Sequence, residues 1–439
     1  MSRQLYRCWI SVALTLLASA AAGADAVTDW NTFAVPLITS TGRPPNATTI
    51  DAAYMHIAIY DAINAIEGGY TPFAVAQSNV PPGASSVAAA AAAAYVILSR
   101  LYPSLQAQID AEYANALAKA PSGQARADGI AVGKAAANGL LARRGFPSDG
   151  WNANVPYTFQ PVGPGVYQKT PGPPPTFVYA GPVTPWQAKF KPFAILQPAQ
   201  FRAAPPPALS SKRWAKDFNE VKEFGALNGS VRTPDQTEIG LFYGLINAAV
   251  QIGRNLVKLA EQQQLSLADD GRFFAQEYVT MADTLVGCWD SKYFYNFWRP
   301  VTAIRAADID GNPATQPDPT WLPQITTPGH PEYPSAHGCV TGAYADTIDH
   351  FFGTEHLSIT LTGATGHPDR TFDSTEDIIE EIINARVYNG VHYRTSVIRG
   401  AALAHNVAKW VAKRHFRPVE SDDEKDSDDS KSHNRRDPK

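Results

Sequence analysis

The chain has 439 residues, of which 44% are hydrophobic, 18% charged and 10% aromatic, so it can bury one large core or several smaller ones. This composition excludes a chain that is disordered throughout, and the net charge of -4 excludes a basic field that would attract nucleic acid. Three cysteines are too few for a disulfide-dense scaffold or for a zinc site built from four thiolates.

The first 26 residues have the pattern of a secretory signal peptide. Arg3 and Arg7 precede an apolar run over 9–22, and small residues suited to cleavage follow at 22–24 and 24–26. The apolar run is shorter than the roughly 20 residues that span a bilayer, and no later segment is long and apolar enough to do so. The sequence therefore predicts an exported protein, periplasmic or secreted, with no membrane span after cleavage.

Helical periodicity dominates the rest of the chain, and strand-length alternation is nearly absent. The sequence therefore predicts an all-α fold. Frequent prolines between 147 and 208 exclude long helices there, while Trp186, Phe190 and Phe193 favour an ordered, extended segment packed on the surface. Helices are predicted over 47–66, 84–118 with an interruption at Pro103, 124–143, 209–226, 234–263, 266–290, 335–352, 374–388 and 396–414.

This pattern divides the chain into five parts. The signal peptide over 1–26 is followed by an N-terminal helical region over 27–146, the proline-rich segment over 147–208, a C-terminal helical region over 209–418 and a tail over 419–439. The tail carries eight acidic and five basic side chains, so we expect it to be disordered.

Signal cleavage removes Cys8 and leaves Cys288 and Cys339. In an oxidising compartment these two thiols could pair, or they could lie in the core as small hydrophobic side chains. The sequence leaves both alternatives open.

Three short blocks in the C-terminal helical region supply cations in a fixed order. Lys292 and Arg299 belong to a Lys-x6-Arg-Pro block, a Pro-Ser-x-His block follows at 334–337, and Arg386 begins an Arg-x5-His block. Guanidinium groups bind tetrahedral oxyanions through paired donors, and lysine adds a compact charge. The three cations therefore predict a pocket for phosphate or vanadate.

The second and third blocks also supply groups that can react. Ser335 stands where a helix is predicted to begin, so its hydroxyl and the nearby backbone amides, including that of Ala336, can face an anion. Of the two histidines, His337 and His392, one can act as a general acid or base and the other as a nucleophile or metal ligand.

The ordered set of blocks resembles the signature shared by vanadium-dependent haloperoxidases and type 2 phosphatidic acid phosphatases. The strict signature covers 292–392, and looser similarity to the soluble bacterial haloperoxidase-like branch extends over most of the mature chain. The resemblance implies packed helical bundles around bound vanadate, or phosphate in the same pocket. It implies that His392 bonds to vanadium or phosphorus, that His337 is the catalytic acid–base group, and that the oxygens are held by Lys292, Arg299, Ser335, Arg386 and the amide of Ala336.

The resemblance implies three possible functions. A vanadate-dependent haloperoxidase would oxidise halide, with bromide or iodide favoured, using hydrogen peroxide. A soluble, exported acid phosphatase would hydrolyse a phosphomonoester through a phosphohistidine at His392. The third possibility is an oxyanion-binding protein with weakened catalysis. The partners would be small molecules in each case, and a homo-oligomer is compatible with the sequence.

Two further residues favour the haloperoxidase. His330 lies seven residues before His337, an offset at which the algal bromoperoxidases have a second histidine. Trp289 is similar to a pocket tryptophan of the peroxidases. A loop histidine without a role and ordinary core packing are the structural alternatives for these two residues.

Three positions depart from the family's pattern. Ala336 stands where the family usually has glycine, and Ala385 replaces a common serine. Ser396 replaces the aspartate that usually follows the last histidine by four residues, and such a carboxylate fixes the tautomer of the imidazole and raises its basicity. Its loss puts either activity in doubt. We also expect one of two acidic residues, Asp235 or Glu238, to pair with the arginine of the Arg-x5-His block.

Overall fold

The computed structural model describes residues 25–170 and 183–419. Residues 1–24, 171–182 and 420–439, which include most of the predicted signal peptide and of the tail, lie outside the described residues. The described part is predominantly helical, which confirms the all-α prediction. Its α-helices are α1 Ala26–Ser40, α2 Pro45–Glu67, α3 Ser86–Leu101, α4 Gln106–Lys119, α5 Gln124–Arg144, α6 Lys212–Phe224, α7 Pro234–Gly244, α8 Ala248–Gln263, α9 Leu267–Tyr295, α10 Pro300–Arg305, α11 Ala336–Phe352, α12 Thr375–Tyr388 and α13 Arg394–Arg414.

Small residues pack the N-terminal helices closely. The seven consecutive alanines at 88–94 in α3 are buried, and α5 lies against them. A Cβ atom added at Gly133 of α5 would lie 2.1 Å from the carbonyl oxygen of Ala89, so only glycine permits this approach. Helix α2 is buried along most of its length between α3, α5 and the long helix α9, and thereby joins the N-terminal helices to the C-terminal region.

Glycines also permit a close approach of α11 and α13. The second sequence block leads into α11, and the third block ends just before α13. A Cβ atom at Gly338 would lie 2.4 Å from the carbonyl oxygen of Val397, and one at Gly400 would lie 2.6 Å from that of Ser335. The amide of Ser335 also donates a hydrogen bond of 3.1 Å to the carbonyl oxygen of Ser396. The start of α11 is therefore fixed against the chain that immediately follows His392.

Two buried carboxylates anchor irregular segments to the helices. Asp61 of α2 accepts the backbone amides of 73–75 at 2.7, 2.9 and 2.8 Å. Asp283 of α9 accepts those of 193–195 at 2.7, 2.6 and 2.8 Å. The segments have similar sequences, Pro-Phe-Ala-Val and Pro-Phe-Ala-Ile. The second contact ties the described end of the proline-rich segment to the C-terminal region.

The structure differs from the predicted elements in several places. The helix predicted over 234–263 is two helices, α7 and α8, and Asn247 caps α8 by accepting the amides of Ala249 and Val250. Helix α1 was not predicted, although only its first residue, Ala26, falls within the expected signal peptide. A short antiparallel hairpin, β1 Ile359–Leu361 with β2 Arg370–Phe372, was also missed, since three-residue strands are too short to show alternation.

Two smaller findings concern the membrane and the cysteines. Among the described residues, no single helix is long and apolar enough to cross a membrane. Ser86–Leu101 and Pro103–Lys119 reach the length and composition of a membrane span only when they are taken together, and the chain bends by 116° between them. Cys288 and Cys339 are both buried free thiols, which corresponds to the second of the two alternatives left open by the sequence.

Candidate active site

A cavity of about 640 Å³ lies between α2, α7–α8, α9 and α11. Six of the residues that the sequence singled out line this cavity. Lys292, Arg299 and Ser335 are buried and are not among its described lining residues. The cavity therefore joins the second and third sequence blocks to both additional candidates. The six residues are Trp289, His330, Ala336, His337, Arg386 and His392.

Arg386 is a buried cation on this wall. Its residue is 1% exposed, and its Nε and Nη1 atoms have no hydrogen-bond partner. Burial, reinforced by the charge of Arg299, lowers the pKa of Arg386 to about 9, so the side chain is still charged at neutral pH. The expected pairing with Asp235 or Glu238 is not formed, and Glu238 instead lies 2.6 Å from His367 Nδ1. An unpaired buried guanidinium that faces a cavity is suited to bind an anion.

His392 is held in one tautomer by contacts on both ring nitrogens. Nδ1 lies 2.7 Å from Oε1 of Glu332, and Nη1 of Arg299 lies 3.3 Å from Nε2. Because arginine can only donate, Nε2 carries the lone pair and Nδ1–H donates to the carboxylate. Burial, followed by the charges of Arg299, Lys292 and Arg386, lowers the pKa of His392 well below its usual value. The ring is thus neutral, and Nε2 is its nucleophilic nitrogen.

Glu332 was missed in the sequence, and it changes the meaning of Ser396. The carboxylate expected four residues after His392 is absent, but Glu332 supplies one from the loop before α11 and also accepts the amide of Tyr393 at 3.2 Å. Burial raises the pKa of Glu332 to about 7, against the lowering effects of Arg299, Lys292 and the nearby Ser396 hydroxyl. His392 therefore has a carboxylate partner although Ser396 replaces the expected aspartate. The available signal was an acidic residue three positions before Ser335.

Lys292 organises the loop that carries Glu332. Its buried ammonium donates to the carbonyl oxygens of Pro331 at 3.0 Å and Glu332 at 2.9 Å, and also to that of Pro334. Burial is the main cause that lowers the pKa of Lys292 to about 8. Because an ammonium has three donors, all of them are directed at this loop.

Arg299 ties the same loop to the third block. Its Nε donates to the carbonyl oxygen of His330 and its Nη1 to that of Val391, both at 2.9 Å. Its Nη2 lies 3.0 Å from Nδ1 of His330, and that nitrogen also lies 3.1 Å from the carbonyl oxygen of Pro331. The ring centroid of Trp289 lies 5.0 Å from that of His330. Both additional candidates are therefore positioned on the cavity wall.

The remaining candidates lie at the start of α11. Ser335 is fully buried and caps the helix, since its Oγ accepts the amide of Gly338 at 3.4 Å. Ala336 and His337 follow on the cavity wall. Burial and the charge of Arg386 lower the pKa of His337 well below its usual value, whereas the backbone of Tyr243 raises it. His337 is thus a neutral imidazole near the buried guanidinium.

The C-terminal half matches a known family. Residues 272–421 match the model of the VCPO second helical-bundle domain, which contains all three sequence blocks. This part of the chain is therefore similar to a domain of the vanadium haloperoxidases. The vanadium chloroperoxidase of Curvularia inaequalis is 26% identical over 211 residues, which cover 39% of this chain and 34% of that protein. The match thus spans about a third of that relative's length.

Solved structures of vanadium-dependent haloperoxidases resemble this chain over most of its length. A bacterial vanadium-dependent iodoperoxidase has a TM-score of 0.73 at 22% identity, with coverage of 90% of this chain and 97% of the other. A holo-type bacterial vanadium-dependent chloroperoxidase has a TM-score of 0.67 at 17% identity, with coverage of 84% and 92%. At these identities the likeness establishes a shared fold.

Proposed function

We propose that this chain is a vanadate-dependent haloperoxidase that oxidises bromide or iodide with hydrogen peroxide. The observation that carries the proposal is that one cavity wall combines a buried guanidinium, two of whose nitrogens lack partners, with a histidine whose Nε2 carries the lone pair. These two groups fit a tetrahedral oxyanion held by one nitrogen bond. No cluster of three or more His, Cys, Asp or Glu side chains suited to a metal ion occurs in the described part of the chain.

In this proposal the protein's own groups position and protonate the reactants. His392 Nε2 would bond to vanadium, and the oxygens would be held by Arg386, Arg299, Lys292, Ser335 and the amide of Ala336. Lys292 would act chiefly through its charge, because its donors hold the loop. His337, as a neutral imidazole on the wall, would accept a proton from hydrogen peroxide. Bound vanadate would supply the Lewis acidity that activates peroxide toward halide.

Purified protein, prepared without phosphate and divided in two, tests the proposal. One half is loaded with orthovanadate and assayed for oxidation of bromide and iodide by hydrogen peroxide. The other half is assayed for hydrolysis of p-nitrophenyl phosphate. We expect vanadate-dependent halide oxidation. Hydrolysis that vanadate inhibits, without halide oxidation, would instead identify a phosphatase that uses His392 as its nucleophile. Silence in both assays, with vanadate bound, would indicate an oxyanion-binding protein.

Replacement of Glu332 by glutamine is expected to lower both vanadate affinity and halide oxidation by about 10- to 100-fold, because the group that orients and polarises His392 loses its charge. Vanadate binding is measured by calorimetry and turnover by triiodide formation. Glu220→Gln removes a carboxylate that pairs with Arg394 at 2.8 Å outside the cavity and should change neither quantity.

A second variant distinguishes orientation of the imidazole from general damage. Ser396 lies beside Glu332, so Ser396→Asp in the Glu332→Gln background places a carboxylate at the position usual for the family. We expect the double variant to recover part of the lost affinity. Full activity in Glu332→Gln alone would contradict the role of this carboxylate.

We further propose that the chain is exported and that cleavage follows Ala24 rather than Ala26. Asp25 caps α1 by accepting the amides of Val27 at 2.8 Å and Thr28 at 3.1 Å, and Ala26 is buried. Cleavage after Ala26 would remove this cap, at a cost of about 1 kcal/mol. The intact mass of the exported protein should correspond to a chain that begins at Asp25. A chain that begins at Val27 would contradict the proposal.

A further inference from the structure

We propose that Cys288 and Cys339 form a redox-active dithiol that hydrogen peroxide oxidises to a disulfide, and that this disulfide fastens α9 to α11 next to the cavity. The inference goes beyond the proposed haloperoxidase function and rests on it only for the arrival of peroxide in the cavity. Oxidation of halide needs no thiol, and no step of the proposed reaction uses either cysteine.

The two thiols lie together where α9 packs against α11. Both side chains are fully buried, and the thiol of Cys339 donates a hydrogen bond to the sulfur of Cys288. The Sγ atom of Cys288 also lies 3.8 Å from the carbonyl oxygen of Pro334, which accepts the ammonium of Lys292 as well. Because the thiols already contact each other, a disulfide requires no large movement of either helix.

The surroundings of the pair make the two thiols unequal. Burial raises the pKa of Cys288, but the hydrogen bond from Cys339 and the charge of Lys292 outweigh burial, so the pKa lies below its usual value. Burial, together with the neighbouring Cys288, raises the pKa of Cys339 well above its usual value. Because the thiolate is the form that attacks peroxide, Cys288 is the attacking residue and Cys339 is the thiol that resolves the intermediate.

The residues that follow both cysteines line the cavity. Trp289 follows Cys288 in α9, and Val340 follows Cys339 in α11. The thiols themselves are not among the described lining residues, so peroxide has to pass the cavity wall to reach them. Hydrogen peroxide is barely larger than water, and we therefore expect oxidation on the order of minutes to hours.

The oxidation balances with hydrogen peroxide as the only co-reactant. The sulfur of Cys288 attacks one peroxide oxygen, the O–O bond breaks, and a sulfenic acid and one molecule of water form. The sulfur of Cys339 then attacks the sulfenic sulfur, the S–O bond breaks as the S–S bond forms, and a second molecule of water leaves. The dithiol thus loses two electrons and two protons, and the peroxide gains them.

The disulfide closes the segment from 288 to 339, which contains most of the residues of the proposed site. Such a cross-link restricts the unfolded chain and thereby stabilises the folded one. Exposure to the oxidising substrate therefore stabilises the part of the fold that uses this substrate. The segment carries Lys292, Arg299, His330, Glu332, Ser335 and His337.

Peptide mapping of peroxide-treated protein tests the inference without turnover. Protein free of vanadate and halide is reduced, freed of reductant, exposed to hydrogen peroxide and then unfolded in iodoacetamide. We expect a disulfide-linked peptide that joins Cys288 to Cys339 and that dithiothreitol separates. Alkylation of both thiols after exposure to peroxide would overturn the inference. Formation of the cross-link by a protein that does not oxidise halide would contradict the haloperoxidase proposal alone.

Two single variants test the roles of the thiols. In Cys339→Ala the sulfenic acid on Cys288 has no thiol to resolve it, so dimedone should trap it. In Cys288→Ala burial still raises the pKa of Cys339, and its labelling by dimedone should be slower by about tenfold or more. Equal labelling of the two variants, or faster labelling of Cys339, would contradict this assignment.

Urea unfolding tests the fastening of α9 to α11. We expect peroxide to raise the unfolding midpoint of wild type by roughly 0.5 to 1 M, because the cross-link restricts the unfolded chain. Dithiothreitol should return the oxidised protein to its initial midpoint, and Cys339→Ala should show no rise with peroxide. A cross-linked protein whose midpoint is unchanged or lower would show that the disulfide does not stabilise this part of the fold.

Discussion

Replacement of Arg386 by methionine is expected to stabilise the anion-free protein and to abolish its stabilisation by vanadate. The guanidinium is buried, and two of its nitrogens lack partners, so in the absence of an anion its desolvation is not offset. Exchange of uncompensated buried charge for an apolar side chain of similar length should raise the free energy of unfolding by about 1 to 4 kcal/mol.

Added vanadate should no longer raise the free energy of unfolding of the Arg386→Met variant. A ligand present at about 100 times its Kd stabilises a protein by about 2.7 kcal/mol, and wild type should show such a rise with vanadate or phosphate. Both proteins are unfolded with urea, with and without vanadate, in buffer free of other oxyanions. Arg254→Met, at an exposed position of α8, should behave as wild type does. An Arg386→Met protein that is destabilised and still responds to vanadate would show that this arginine serves the fold.

The second large effect concerns Asp283, which anchors the proline-rich segment. Replacement by alanine leaves the amides of Phe193, Ala194 and Ile195 without their acceptor, and should lower the free energy of unfolding by about 3 to 5 kcal/mol. Burial raises the pKa of Asp283 to about 6, so urea unfolding at pH 8 compares the variant with the charged carboxylate.

The neighbouring Asp290 is the matched control on the same helix. It pairs with Arg202 at 2.7 Å near the surface, and its loss should cost less than about 1 kcal/mol. Similar destabilisation by both replacements would show that the amide contacts of Asp283 add little.

The long periodic helices and the order of the three blocks were predictable, because each depends on local spacing. The N-terminal bundle follows from alanine and glycine patterns that repeat along single helices. The break between α7 and α8 was not predictable in this way, since Asn247 caps a helix within a sequence that continues the helical periodicity.

At the site, the sequence predicted which residues reach the cavity, but it did not predict the contacts among them. Arg386, His337 and His392 reach the cavity wall, as the blocks suggested. Glu332 could not be assigned from its position, because its contact with His392 joins residues 60 apart in the chain. Ser396 illustrates the complementary error. The missing carboxylate in one block put either activity in doubt, whereas another segment of the chain places a carboxylate beside His392.

The three hydrogen bonds from Lys292 to carbonyl oxygens determine which parts of the chain would have to be moved together to rebuild this site in another protein. The segment that presents His330 and Glu332 has no regular hydrogen-bonding pattern of its own, and one ammonium group from α9 gathers its carbonyl oxygens. Lys292 of the first block thus holds the loop that leads into the second block. Loss of activity in a Lys292 variant could therefore result from displacement of this loop as well as from the missing charge. A graft of the motif residues alone onto another helical bundle should fail. The smallest transferable unit is the end of α9 together with 330–337.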